Sequence, residues 1–410
     1  MTKIALIRLD SGRHDPARFE NDRSEFLAPL KEEFELTAVR PGEKTTADLQ
    51  VVFVASGGSE QEFRRLYPAL PAPVILLADG RHNSLPAALE ISSWVRRQGG
   101  RAEIVHGSAS GISARLRRLA GFERTRRVLR GRIGIIGEPS DWLIASAVDR
   151  AAVKNRWGTE FVDIGLVEAF GHRGGEAEAA ASASEFIARA EGLEGVDEGA
   201  VRAAARLVPP LRAVFDRHQL QAATLRCFSL VEVLKTSGCL ALAQLNDEGL
   251  VCGCEGDVPA VFSMLLLHAL TGEASFLANP AEVDPDSNEV VMAHCTVPRR
   301  AVDGYRLQTH FETGMGVALS GDFPPGPATV FKAGGAGLDT YFVSGAEVLA
   351  ATPRPGLCRT QVRLRLRKPV SYFLRSSLAN HHLLVRGDHA RLLDEFMNYC
   401  GVNKVVIGDR

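Results

Sequence analysis

The sequence has 410 residues, of which 45% are hydrophobic and 24% charged, and its formal net charge is -1. That length exceeds one ordinary core and implies two or three domains, while the near-neutral balance excludes a global pull toward nucleic acid or an acidic membrane surface. No apolar run reaches the roughly 18 residues of a membrane-spanning helix, and seven scattered cysteines predict reduced thiols in the cytoplasm, not a disulfide framework.

In chain order, MTKIALIRLDSGR meets Asp10 too early for a signal-peptide core and reads as a first strand. KIALIRL, LQVVFVA, PVILLAD and RAEIVHG are short apolar runs separated by helical patterns such as SEFLAPLKEEF and LPAALEISSWVRRQG. This alternation predicts an α/β domain over 1–130 with a parallel sheet covered by helices. The basic stretch RLRRLAGFERTRRVLRGR reads as a solvated helix face over apolar Leu116, Leu119 and Phe122, since no aromatic platform accompanies the charge. RIGIIGEPSDWLIAS opens a central α/β domain, 131–272; its glycine spacing is not the GxGxxG dinucleotide fingerprint. GTEFVDIGL reads as a strand, 174–190 as a helix, and 199–218 as a helix kinked or broken at Pro209–Pro210. After Gly272 come NEVVMAHCTVP, YRLQTHFETG, GVALSGDF, ATVFKAG, LDTYFVSG, CRTQVRLRLR and LLVRG, alternating runs set between Gly and Pro turns. They predict a β-rich, mostly antiparallel C-terminal domain over 273–410, closed by the helix HARLLDEFMNYCG. The fold class expected is two doubly wound α/β domains followed by this β-rich domain.

The stretch GLVCGCEGDVPAVFSMLLLHALTG sets two acids before a long apolar run. Asp257 precedes Pro259 and reads as a helix N-cap, with Gly272 as the stop. Glu255 has no capping role and needs a cationic or hydrogen-bonding partner in a dry place. His294 ends a β-branched run and shares a strand face with Met292 and Thr296. His381 and His382 are adjacent, so in an extended segment they point opposite ways and one at most enters a given site; His389 belongs to the following helix or its cap. One carboxylate and two histidines would suit Mn²⁺, Co²⁺, Fe²⁺ or Zn²⁺.

Taken in order, GRIGIIGEPSDWLIAS, TLRCFSL, GCLALAQLNDEGLVCGCEGDVPA, SFLANPAEVD–NEVVMAHCTVP and LANHHLLV resemble the L-fucose isomerase / L-arabinose isomerase superfamily, especially its shorter members. NSLPAALEI fits that family's N-terminal domain and carries Asn83. The resemblance implies a metal-dependent aldose–ketose isomerase, usually with Mn²⁺, acting on a sugar at subunit junctions of a homotrimer or homohexamer. It makes Glu255 the first carboxylate ligand and a proton-transfer group, His381 the histidine ligand, with His382 the other choice in the pair, and His294 a ligand of the arabinose-isomerase branch. Arg226, Asp257, His382 and Asn83 are expected on the substrate side; Arg226 could equally pair with Glu232 or Glu255. The second family carboxylate falls at Asn279, which can ligate through its carbonyl oxygen but cannot act as a base. Asp257, Glu282, Asp284 or Glu312 could replace it, Glu312 first, because Gly314 and Gly316 permit close backbone approach. The departure keeps open a lyase or epimerase, or a non-catalytic sugar-binding protein, on the same fold.

Overall fold

The computed structural model describes residues 1–11, 16–171, 175–350 and 353–407. Gly12 and Arg13, which end the first stretch read from the sequence, and Gly174, which opens the segment 174–190, lie outside these. The chain forms two compact units, Met1–Thr125 with Tyr399–Gly401, and Arg126–Asn398 with Val402–Arg410. The first follows the predicted alternation: β1 (Thr2–Leu9), α1 (Pro16–Glu33), β2 (Phe34–Ala38), β3 (Leu49–Val54), α2 (Glu60–Leu66), β4 (Val74–Ala78), α3 (Ser84–Arg97), β5 (Ala102–Val105) and α4 (Ala109–Leu129). Its strands pair in parallel in the order β2-β1-β3-β4-β5. Ile7, Val52, Val54 and Leu76 bury against Ala87, Ala88, Ile91 and Val95 of α3. The basic stretch is the helix α4, with Leu116, Leu119 and Phe122 buried and Arg117, Arg118, Arg124 and Arg127 exposed.

The second unit starts with β6 (Arg132–Ile136), α5 (Arg150–Trp157), β7 (Glu160–Ile164), α6 (Leu166–Phe170), α7 (Glu176–Arg189) and the short β8 (Leu193–Glu194). The segment 199–218 divides into α8 (Glu198–Ala205) and α9 (Val208–His218), with Pro209 and Pro210 in the first turn of α9, where missing N–H donors cost nothing. β9 (Leu220–Leu225), α10 (Cys227–Leu234), α11 (Cys239–Asp247), β10 (Val251–Cys254) and α12 (Val258–Thr271) follow. A second parallel sheet has the order β10-β9-β6-β7, so strand order reverses direction between β6 and β9. Ligands of such sheets lie beyond the carboxyl ends of strands at such a reversal. Three segments leave those ends: the loop after β6, Arg226 after β9 and Glu255 after β10.

The same unit continues with β11 (Phe276–Asp284), β12 (Glu289–His294), β13 (Gly304–Gln308), β14 (Ala318–Asp322), β15 (Gly326–Gly334), β16 (Thr340–Leu349), β17 (Thr360–Leu366), α13 (Ser371–Arg375), β18 (His382–Arg386), α14 (Ala390–Cys400) and β19 (Asn403–Lys404). Antiparallel pairing runs β15-β18-β11-β12-β17-β16, and β16 pairs back onto β15, so the sheet closes into a barrel-like form. β13 and β14 form a separate antiparallel pair with β8 alongside. Every residue of α12 from Val258 to Leu267 is buried, because the helix packs on β9 and β10 and also on β15 and β18. It thereby brings the ends of the parallel sheet and the barrel to one place. Among the described residues, no helix is long and apolar enough to cross a membrane.

Candidate metal centre

The turn between β10 and α12 sets the site. Glu255 adopts a left-handed backbone conformation, φ 61°, and Gly256 follows at φ 71°. A Cβ on Gly256 would lie 2.6 Å from Pro139 Cα and 2.7 Å from the Glu138 carbonyl oxygen. The loop after β6 is therefore seated directly on this turn, and Ser140 N donates to the Glu255 carbonyl at 2.9 Å. Gly256→Ala is expected to cost about 1–3 kcal/mol through strain and clash. A lowered melting temperature with reduced ligand affinity would check it; an unchanged melt would contradict the close seating.

From this turn the Glu255 side chain reaches the barrel. Its Oε1 lies 3.5 Å from His294 Nε2 and 3.5 Å from His381 Nε2, and Oε2 accepts the Trp142 indole N–H at 2.7 Å. The rings of His294 and His381 are 5.4 Å apart. One atom from each of Glu255, His294 and His381 lies within 4.8 Å of the others, and all three residues are buried. Burial opposes ionisation of Glu255, but the two imidazoles prevail and hold its carboxyl well below the usual range.

Asp257 stands behind this group. Its Oδ1 accepts the Ala260 N–H at 2.8 Å, the N-cap bond read from the sequence. Its Oδ2 lies 2.9 Å from His381 Nδ1 and 3.6 Å from Lys332 Nζ, and both Asp257 and Lys332 are wholly buried. Burial works against its charge too, but Lys332 and His381 depress its pKa below the usual carboxylate value. An ionised Asp257 fixes the proton of His381 on Nδ1, turning Nε2 toward Glu255. Burial pushes the His381 imidazole down, yet Asp257 and Glu255 raise it to about 9. His381 Nε2 is buried and makes no hydrogen bond; Glu255 Oε1 stands 3.5 Å away. Orphaned buried polar atoms are uncommon and ask for an explanation. A ligated cation supplies one, and carboxylate-held imidazoles are the usual support of metal-binding histidines. His294 is held by a hydroxyl instead, its Nδ1 3.0 Å from Thr296 Oγ1.

Asn279 lies on β11 opposite Ala293, one residue before His294, while Ala278 pairs with His382, one residue after His381. Its Oδ1 is a second buried atom with no hydrogen-bond partner. His382 faces elsewhere: Nδ1 donates to the Asn380 carbonyl and Nε2 accepts from Tyr372 Oη, both at 2.9 Å, among Phe342, Tyr372 and Phe373. Burial and nearby Lys332 press its pKa down to about 3, so it stays neutral. Of the adjacent pair, His381 is the one the structure brings to Glu255. Arg226 donates to the Pro139 carbonyl at 3.0 Å and to Asp141 at 3.1 Å, with Glu138 at 3.8 Å. Glu232 and Glu255, the partners weighed from the sequence, are not among these. Glu312 belongs to a separate group with Cys295 and His310. Asn83 is in the first unit, in left-handed conformation ahead of α3. Glu282 pairs with Arg354, and Asp284 caps the turn to Ser287. His389 precedes α14 with Nε2 2.9 Å from the Arg386 carbonyl.

Sequence reasoning missed Trp142 and Lys332. Trp142 is 52% exposed, with its ring edge-on to Phe228 at 5.0 Å, so it stands at the outer side of the carboxylate. Glu255, His294 and His381 thus form a buried set of one oxygen and two nitrogen donors that could hold a metal ion, with Trp142 beside it.

The chain is similar to sulfoquinovose isomerases. Those of Priestia aryabhattai and of Priestia megaterium are 25% identical over 263 residues, 62% of this chain. The chain spans about 59% of the length of these curated relatives. The sulfoquinovose isomerase of a Clostridium species is 33% identical over 104 residues, 24% of this chain and 23% of its own. No protein-family model matches the chain.

Proposed function

We propose that the chain is a metal-dependent aldose–ketose isomerase of the fucose/arabinose-isomerase type, acting on a monosaccharide. The observation that carries this reading is the buried, unpartnered His381 Nε2 directed at a carboxylate that also faces His294. Glu255, His294 and His381 would hold the ion, with the Asn279 carbonyl oxygen as a further donor. A divalent metal such as Mn²⁺ supplies Lewis-acid stabilisation of the charge that develops across the two sugar oxygens.

The protein side follows from the geometry. Glu255, kept ionised, accepts the proton leaving one sugar carbon and returns it to the neighbouring carbon. Trp142 holds Oε2 of that carboxylate in place and covers it. Asp257 fixes the His381 tautomer, and Lys332 keeps Asp257 charged. Asn279 holds or orients without exchanging a proton, which places both transfers on Glu255. Arg226, at the carboxyl end of β9, donates to the loop that carries Trp142 and suits an anionic substituent on the sugar. The names of the similar proteins support a sugar isomerase, and make sulfoquinovose, a sulfonated aldose, the first substrate to try.

The protein, stripped with chelator and reloaded with Mn²⁺, should convert aldose to ketose in D₂O with deuterium entering the product at the carbon next to the new carbonyl. NMR separates the outcomes. A ketose formed only with metal supports the proposal. An epimer, a cleaved sugar, or conversion unaffected by metal removal would overturn it.

A further inference from the structure

Beside the first centre, the end of β12 supports a second cluster. Adjacent residues of an extended chain point to opposite sides: His294 turns to Glu255, and Cys295 turns to Cys239, Ala318, Phe311 and Cys358. The loop between β13 and β14 brings His310 and Glu312 to the same place. One ligand atom each of Cys295, His310 and Glu312 lies within 4.8 Å of the others. His310 Nε2 is 3.2 Å from Glu312 Oε2, and Glu312 Oε1 is 3.4 Å from Cys358 Sγ. His310 Nδ1 is engaged by Thr313 Oγ1 at 3.0 Å, which leaves Nε2 to face Glu312.

Two thiols, an imidazole and a carboxylate from three chain segments are the donor types of a tetrahedral zinc-class site. The supports also fit: the outer nitrogen of the imidazole is held by a hydroxyl, and Cys295 and His310 are buried while Glu312 and Cys358 reach solvent and offer a way in. An ordinary core thiol would have apolar neighbours only; here an acid and an imidazole share the space.

We propose that Cys295, His310, Glu312 and Cys358 form a second metal site, selective for a thiolate-binding ion of the Zn²⁺ class and distinct from the oxygen- and nitrogen-lined centre at Glu255. Binding converts thiols to thiolates and releases their protons to solvent.

The test uses Co²⁺ as a spectroscopic probe on the full-length, reduced protein. Oxygen and nitrogen ligands give cobalt no thiolate charge-transfer absorption, so this near-ultraviolet band reports the second site alone. The band should appear in the wild type, vanish in Cys295→Ser, be lost or strongly reduced in Cys358→Ser, persist in Glu255→Gln, and disappear on adding Zn²⁺. Cys358 is partly exposed, so its replacement tests the site even if the buried Cys295→Ser protein fails to fold. Absence of the band in the wild type, or its persistence in both cysteine variants, would overturn the proposal. Neither result depends on sugar turnover, so failure here is separable from failure of the isomerase reading.

Discussion

Glu255→Gln is expected to lower turnover roughly 10²–10⁴-fold, the usual contribution of a positioned acid–base group. The amide keeps the shape of the side chain, and its oxygen can still accept the Trp142 N–H that the carboxylate accepts at 2.7 Å. What it loses is the charge facing His294 and His381 and the capacity to take a proton. Metal affinity should fall together with turnover, and the melting temperature should fall as the buried charge is lost, while far-ultraviolet circular dichroism changes little. Glu255→Asp is the sharper control. It retains charge but withdraws it by one methylene from two nitrogens that are each 3.5 Å away, and partial activity is expected. A Glu255→Gln protein that isomerises sugar within a few-fold of wild type would remove Glu255 from the chemistry.

Lys332→Met should destabilise the second unit by about 3–5 kcal/mol, the cost of leaving one member of a buried ion pair without its partner. Lys332 Nζ is 3.6 Å from Asp257 Oδ2, and both residues are wholly buried. Met fills a similar volume, so the loss is electrostatic and not a cavity. Part of it should return in the double variant Lys332→Met/Asp257→Asn, because the amide leaves no uncompensated charge and can still cap α12 through its oxygen. Urea unfolding measures both proteins. If the single variant unfolds at the wild-type midpoint, Lys332 does not hold Asp257. Metal binding should weaken in the double variant even where stability recovers, since an amide no longer holds the proton on His381 Nδ1.

The alternation of strand and helix was legible because it is periodic over short windows, and the parallel sheets follow from it. β11 escaped the sequence reading because Asn279 and Pro280 interrupt it, and its register shifts between Pro280 and Glu282. The closure of β16 onto β15 depends on pairings between distant segments, which no local pattern records. Within the site, Glu255 and Asp257 stood out as acids in an apolar setting. The same rule applied to ATVFKAG would have flagged Lys332 and named its partner type: a buried ammonium needs a carboxylate. Trp142 carried no such mark, since a lone aromatic in a loop is unremarkable until its N–H is seen to end on a carboxylate. The choice between His381 and His382 could not be made from adjacency; it is decided by which ring meets Asp257 and which meets Tyr372.

Asp257 carries two duties at once, capping the start of α12 and holding an imidazole. Under the proposed reading, a descendant of this chain that gave up catalysis would be free to change Glu255, His294 or His381, yet would still need an acceptor at the start of the deeply packed α12. Retention of the aspartate across a set of sequences therefore says only that the architecture persists. Under the proposed isomerase reading, joint presence of the other three is the signature expected to separate working enzymes from inherited shells.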